Sequence, residues 1–372
     1  AARSARSCWA VARTTRPPAG SACPPGDGPP LRHDLVRGPG HVPFPNDLCT
    51  VPDPSSPTGL RLNVTLPAPT SLQRELLDDL NRLPGFGVTA PITVPLTRTS
   101  ADPGEAALDL DALLARHGAS FDFADDAVYL LDLTRGVPLP LDLGAGASGT
   151  LIRDEGEGVT ADPRRREPSL ELETVDERVD PVSGLPDLSR TTYAPVIDGD
   201  SDGLLDVPNL LDPQACQQLV PGEPGTPEDD ARDRCLADNL VSFYERDGDT
   251  LVLRPLVPLR GGSRYAVVLT DRLVDPRGSP VRSAFDTIFH PAQRPTAEAV
   301  AALLADPAAT ARFGDLAGTG LAHVAFTWSF TTAPVIDDLA RLAAGLAGRG
   351  ELRSLAEQFP PEIGRASCRE RV

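Results

Sequence analysis

Hydrophobic and polar residues alternate most cleanly in the last third of the chain. In "VAFTWSFTT", Phe326, Trp328 and Phe330 fall on one side and Thr327, Ser329 and Thr331 on the other, the period of two of a β-strand. "SRYAVVLT" sets Tyr265, Val267 and Leu269 against Ala266 and Val268 in the same way. "VSFYERDGDTLVLRPL" places Asp247-Gly248 between two alternating runs, a strong hairpin signal because the turn demands positive φ. The aromatic residues from Phe326 to Phe330 are therefore expected in a half-buried strand and not in a ligand box.

Earlier stretches carry shorter signals. "GLRLNVTLP" (Gly59–Pro67) reads as a strand. "SLQRELLDDLNRLPGFG" reads as a helix capped at Ser71, with Leu72, Leu76, Leu77 and Leu80 on one face and a stop at Pro84-Gly85. "APITVPLT" is a strand whose Pro91 and Pro95 place it at a sheet edge. Asp109 to His117 forms a short helical turn, and "DDAVYLLDLTRGVPLPLDLG" gives two strands joined at Arg135-Gly136. Leu170 to Val175 alternates as well, and Thr296 to Leu304 is an inserted helix. Pro334, with Asp337 and Asp338 in the first turn, opens a helix carrying Ile336, Leu339, Ala343 and Leu346 on one side. The pattern predicts a mainly β chain, an antiparallel β-sandwich with inserted short helices and long loops. Its segments are a loose leader (1–40), a β-rich region (41–178), an acidic loop-rich insertion (179–239), closing strands (240–333), a helical linker (334–361) and a terminal string (362–372).

Composition narrows the function classes. The 372 residues include 40 Pro and 32 Gly, high but below the roughly 25–30% that marks low-complexity disorder. A net charge of −18, with all 35 basic residues Arg, argues against nucleic-acid binding, which needs cations to neutralise phosphates. The arginines Arg164, Arg165 and Arg166 read as a solvated loop. No apolar run approaches the roughly 18–20 residues that span a bilayer.

Two strings bear on chemistry. Gly199-Asp200-Ser201-Asp202-Gly203 matches G-x-S-x-G, the nucleophile elbow of α/β-hydrolases. The following "LLDVPNLLDP" is broken by Pro208, however, and two carboxylates beside Ser201 would oppose a developing oxyanion. The same stretch is D-x-D-x-D-G-x-x-D, a spacing like that of calcium loops. Asp198, Asp200, Asp202 and Asp206, with the backbone carbonyl of Leu204, supply hard oxygens for Ca²⁺. Asn209 stands where a bidentate Glu would close an EF-hand, so an extracellular-type, weaker site is expected; a solvated acidic turn is the alternative. Cys216 and Cys235 close one polar loop and Cys23 and Cys49 another, which suits disulfides in an oxidising compartment, with Cys8 left over. Free buried thiols are the alternative. The histidines His33, His41, His117, His290 and His323 show no metal-ligand spacing.

The terminal "EIGRASCRERV" stands apart from the Ala-, Leu-, Pro- and Asp-rich chain before it. Read back into codons, Ile363 to Val372 can be spelled as a sequencing-adapter read-through, so these residues, and Cys368 with them, are set aside from the fold. With Ala at position 1 and no Met in the sequence, the chain reads as the middle of a longer protein.

From the hairpin onward, the ordered set Leu251, Leu253, Pro255, Leu259, Tyr265, Val267, Leu269, Asp275, Gly278, Phe330, Thr331 and Thr332 resembles the closing half of SbsA-type bacterial Ig-like domains. Upstream, "VPFPNDL" (Val42–Leu48), "LNRLPGFGVTAPITVPL" (Leu80–Leu96) and "AVYLLDL" resemble the N-terminal region of bacterial extracellular, virulence-factor-type lipases, with Val88 before Thr89 a small departure. The resemblance implies an Ig-like, non-catalytic region preceding an α/β-hydrolase domain of the same chain. It implies a secreted or outer-membrane-surface protein associated with the cell envelope, with a lipid anchor left open. The expected function is to hold, orient or shield a lipase or esterase, with Ca²⁺ as the one cofactor. The alternative is a structural or adhesive Ig-like surface protein with no enzyme attached.

Overall fold

The two cleanest alternating runs pair with one another in the computed structural model, which describes residues 18–66, 68, 70–101, 105–117, 123–142, 243–245 and 248–359. In chain order the strands are β1 (Thr50–Pro52), β2 (Leu60–Leu62), β3 (Ile92–Pro95), β4 (Val128–Asp132), β5 (Val137–Leu139), β6 (Leu141–Asp142), β7 (Tyr244–Glu245), β8 (Thr250–Pro255), β9 (Arg264–Thr270) and β10 (Val324–Thr331). Every pairing among them is antiparallel. They form a β1–β2 ribbon, a sheet ordered β10-β9-β4-β5, and a sheet ordered β3-β8-β6 with β7 also on β8. Helices α1 (Ser71–Leu80), α2 (Leu110–Arg116), α3 (Arg294–Leu304), α4 (Thr310–Phe313), α5 (Val335–Leu346) and α6 (Leu355–Gln358), with short 3₁₀ turns at Asp47–Cys49, Pro291–Gln293, Pro307–Ala309 and Gly314–Leu316, complete the described elements.

The antiparallel order is as expected, but the described residues mix helix with strand and are not mainly β. Proline is one physical reason. Pro52, Pro95 and Pro255 stand at the ends of β1, β3 and β8, Pro140 separates β5 from β6, and Pro138 lies within β5 at the edge of its sheet, because a residue without an N–H is tolerated only where no ladder bond is required of it.

Both four-stranded sheets combine strands from before and after residues 143–242. β3 pairs with β8, and β4 pairs with β9, so regions 41–178 and 240–333 share both sheets. Their inward residues share one buried cluster, which includes Ile92, Val94, Val128, Leu130, Leu251, Leu253, Tyr265, Val267, Phe326, Trp328 and Phe330. On the opposite face of the β10-β9-β4-β5 sheet, Tyr129, Leu131, Ala266 and Val268 pack with Ala297, Val300 and Leu304 of α3 and Phe313 of α4. The period-two split of β9 is thus a split between two cores. The expectation of a half-buried β10 is corrected: all eight of its residues are buried, because α3 and its flanking segments cover the second face.

Other boundaries follow local chemistry. α2 is capped at its start by Asp109, whose carboxylate accepts from Ala112 N at 2.9 Å, and at its end by His117. β4 and β5 form the expected hairpin, with Gly136 at positive φ (65°). β7 and β8 pair as the hairpin expected around Gly248, although Asp247 lies outside the described residues. The cap of α1 is Thr70 and not Ser71. Thr70 Oγ1 accepts from Gln73 N at 3.2 Å while Gln73 Oε1 accepts from Thr70 N at 3.0 Å, a capping box that satisfies two otherwise orphaned donors. α1 buries none of its residues, and Leu72 and Leu76 face solvent. Leu170–Val175 lies outside the described residues.

Candidate functional site

A buried polar cluster joins the "PFPND" loop to β10. Asn46 caps a single 3₁₀ turn (Asp47–Cys49) by accepting from Leu48 N at 3.0 Å, and its amide donates to Pro43 O. That turn directs Asp47 at the sheet, where Oδ2 accepts from Ser329 Oγ at 3.1 Å and Thr331 Oγ1 at 3.2 Å. Ser329 Oγ also meets Thr296 Oγ1 of α3 at 2.9 Å and the Arg264 guanidinium at 3.3 Å. Gln293 Nε2 donates to Asn46 Oδ1 at 3.0 Å and Ser329 O at 3.1 Å. Trp328 Nε1 donates to Pro45 O at 2.9 Å. Burial pushes the Asp47 carboxyl above the usual carboxylate range, against the pull of its hydroxyl donors and Arg264. Asp47 Oδ1 and Gln293 Oε1 are buried without a hydrogen-bond partner.

Aromatic rings continue the junction. Phe44 stands edge-on to Phe86 at 5.2 Å, Phe86 to Phe330 at 6.4 Å, and Phe330 stacks on Tyr265 at 5.7 Å. Backbone bonds run alongside, from Phe86 N to Thr331 O, from Ala333 N to Phe86 O, and in both directions between Phe44 and Thr93. Gly85 allows this approach, since a Cβ there would meet Thr331 O at 2.7 Å.

Three further carboxylates hold the fold. Asp249, at φ 47°, takes both Nε and a terminal nitrogen of Arg98 at 3.0–3.2 Å and Tyr244 Oη at 2.8 Å. Asp132 turns the β4–β5 hairpin by accepting from Thr134 N and Arg135 N, and pairs with Arg260 at 2.8 Å. Asp275 accepts from Arg277 N and Ser279 N, closing the D-x-x-G turn at Gly278. Chemically, these arrangements fix turns and strands; charged hydrogen bonds of this kind position backbone.

The histidines fall into different settings. His117 is buried, and His323 Nδ1 meets Asp271 at 2.8 Å on the surface. His33 and His290, far apart in sequence, stack with ring centroids 5.4 Å apart. Spacing gave no signal for that meeting, nor for the Asp47–Ser329–Thr331 junction, because in both cases the partners come from opposite ends of the chain.

The residues expected to bind Ca²⁺, Asp198, Asp200, Asp202, Leu204 and Asp206, lie outside the described residues, as do Ser201, Cys216, Cys235 and Ile363 to Val372. Cys23 and Cys49 are described, and the crosslink expected between them is not made: both are free thiols. Their surroundings explain this. Cys23 is half-buried where its N–H donates to Asp286 O, whereas Cys49 packs in the main core at the end of the 3₁₀ turn. Burial, with Asp47 nearby, pushes the Cys49 thiol up to about 11. Among the described residues, no three His, Cys, Asp or Glu side chains are grouped to hold a metal ion. No helix among them is long and apolar enough to cross a membrane. Comparison of the chain with family models, curated proteins and solved structures returns no match.

Proposed function

We propose that this chain is a non-catalytic region that holds, orients or shields a lipase or esterase domain of the same protein, outside the bacterial cell. The observation that supports it is how the two resembling stretches are used. Phe44, Pro45, Asp47, Phe86 and Thr93 from the lipase-like stretch are bonded or packed to Phe330, Trp328, Ser329, Thr331 and one another. Residues consumed in a junction serve as framework. Ser329 is 1% exposed and has its hydroxyl engaged by Asp47, Thr296 and Arg264 together, so it is not placed to attack a substrate. We read the two sheets that share one buried cluster as an Ig-like β-sandwich, in keeping with the closing strands' resemblance.

The test is hydrolysis of p-nitrophenyl butyrate by the purified chain, beside Ser201→Ala. Background turnover in both is the expected outcome. Turnover well above background that disappears in Ser201→Ala would overturn the reading and make the G-x-S-x-G string a working nucleophile.

A further inference from the structure

The His33 and His290 rings are nearly parallel, at 9°, with centroids 5.4 Å apart. Phe285 stands edge-on to both, at 4.7 Å from His33 and 5.2 Å from His290, and Phe326 of β10 closes on His33 at 6.5 Å. His33 Nε2 is buried there with no hydrogen-bond partner. The stack sits where the segment of residues 18–34 is clipped to the body by backbone hydrogen bonds in both directions: Cys23 N to Asp286 O, Leu31 N to Arg282 O and Arg32 N to Pro95 O from the segment, and Ile288 N to Ser21 O, Arg282 N to Pro29 O and Thr97 N to Pro30 O from the body. We propose that the His33–His290 stack is an acid-released latch, which seals this segment onto residues 282–290 when neutral and frees it when protonated.

The surroundings explain the direction. A proton on His33 Nε2 would place an unpaired donor and a positive charge among Phe rings and against a second imidazole. From its own segment His33 faces Asp34, whose carboxylate is engaged by Val36 N, Arg37 N and the Arg37 side chain. From residues 282–290 come Arg282, which donates to Gly26 O, the exposed Asp286, and His290; β10 contributes the uncharged Phe326. Burial first, and His290 second, hold His33 down to about 4, with Asp34 acting in the opposite sense; burial also lowers His290. A histidine depressed in the attached state stabilises attachment above the free value near 6.5, and that contribution fades as pH falls toward 4.

Hydrogen exchange on the full chain at pH 7.5 and pH 5, corrected for intrinsic rates, tests this. Protection at Cys23, Leu31 and Arg32 should fall on the order of tenfold, allowing for screening of a half-buried ring, while central β9 amides change less. His33→Phe keeps an aromatic ring without the titration and should abolish the local fall. An equal fall in His33→Phe, or no fall in the wild type, overturns the latch. Should His33→Phe not fold, His290→Phe decides: a fall clearly smaller than in the wild type supports the latch, and an undiminished one overturns it.

Discussion

His117, the residue that follows α2, accepts two backbone N–H groups, from Ala127 at 3.1 Å and Val128 at 3.3 Å, on one ring nitrogen. Its other nitrogen faces Asp126 at 3.4 Å. An imidazole that accepts on Nε2 is neutral, and protonation would turn that acceptor into a donor facing two donors. Burial, helped by Arg116, lowers His117 from 6.5 to about 4. The sign follows: the unfolded chain takes up this proton first as pH falls, so stability is full above 6.5 and is lost on the way down to about 4. Urea unfolding should show the wild type losing about 2 kcal/mol more between pH 7.5 and pH 5 than His117→Gln, which can still accept but does not titrate. Equal losses in the two proteins would remove His117 from the account. At this scale the sequence exposed the ends of α2, since Asp109 and His117 bound it, but not the bond that fixes β4 beside it. A cap is a local matter; an acceptor for residues beyond a loop is not.

The sequence marks both α3 and α5 as helices, and only packing separates them. In α3, Ala297, Val300 and Leu304 are buried against β4 and β9. In α5, Ile336 is 67% and Leu339 63% exposed, with Leu342 and Leu346 also open to solvent. Hydrophobic stabilisation scales with area removed from water, so the same residue type is worth different amounts on the two helices. Leu304→Ala should cost about 2–4 kcal/mol in denaturant unfolding, while Leu339→Ala should change stability by less than about 0.5 kcal/mol. A cost at Leu339 matching that at Leu304 would mean that its face is covered in solution. The contrast shows why elements were more legible than their surroundings. Period 3.6 reports that one face can be buried, and it carries no information about which surface arrives to bury it. The same limit holds for the strands: alternation predicts a half-buried β10, whereas α3 covers its hydroxyl-bearing face.

At the scale of the whole molecule, neither half of the described chain owns either of the two larger sheets. β3 and β4 precede residue 143, β8, β9 and β10 follow residue 242, and the ladders β3–β8 and β4–β9 cross between them. Alternation in the sequence identified most of these strands but not their partners, because pairing is decided by register and burial among residues distant in the chain. The stretches at residues 42–96 and 251–332 therefore read as successive regions, while in three dimensions their aromatic side chains lie in one core. Unfolding should be correspondingly indivisible. With strands of each region inside the other's sheet, opening one region exposes the buried face of the other, so no intermediate gains entropy without losing most of the core. Ile92→Ala in β3 and Val267→Ala in β9 both strike fully buried positions. Each should cost roughly 2–4 kcal/mol through lost burial and the cavity left behind. Both should shift the same single thermal transition, with calorimetric and van't Hoff enthalpies in agreement. Two transitions, one moved by Ile92→Ala and the other by Val267→Ala, would establish separate domains and would mean that the crossed ladders do not carry the stability of this fold.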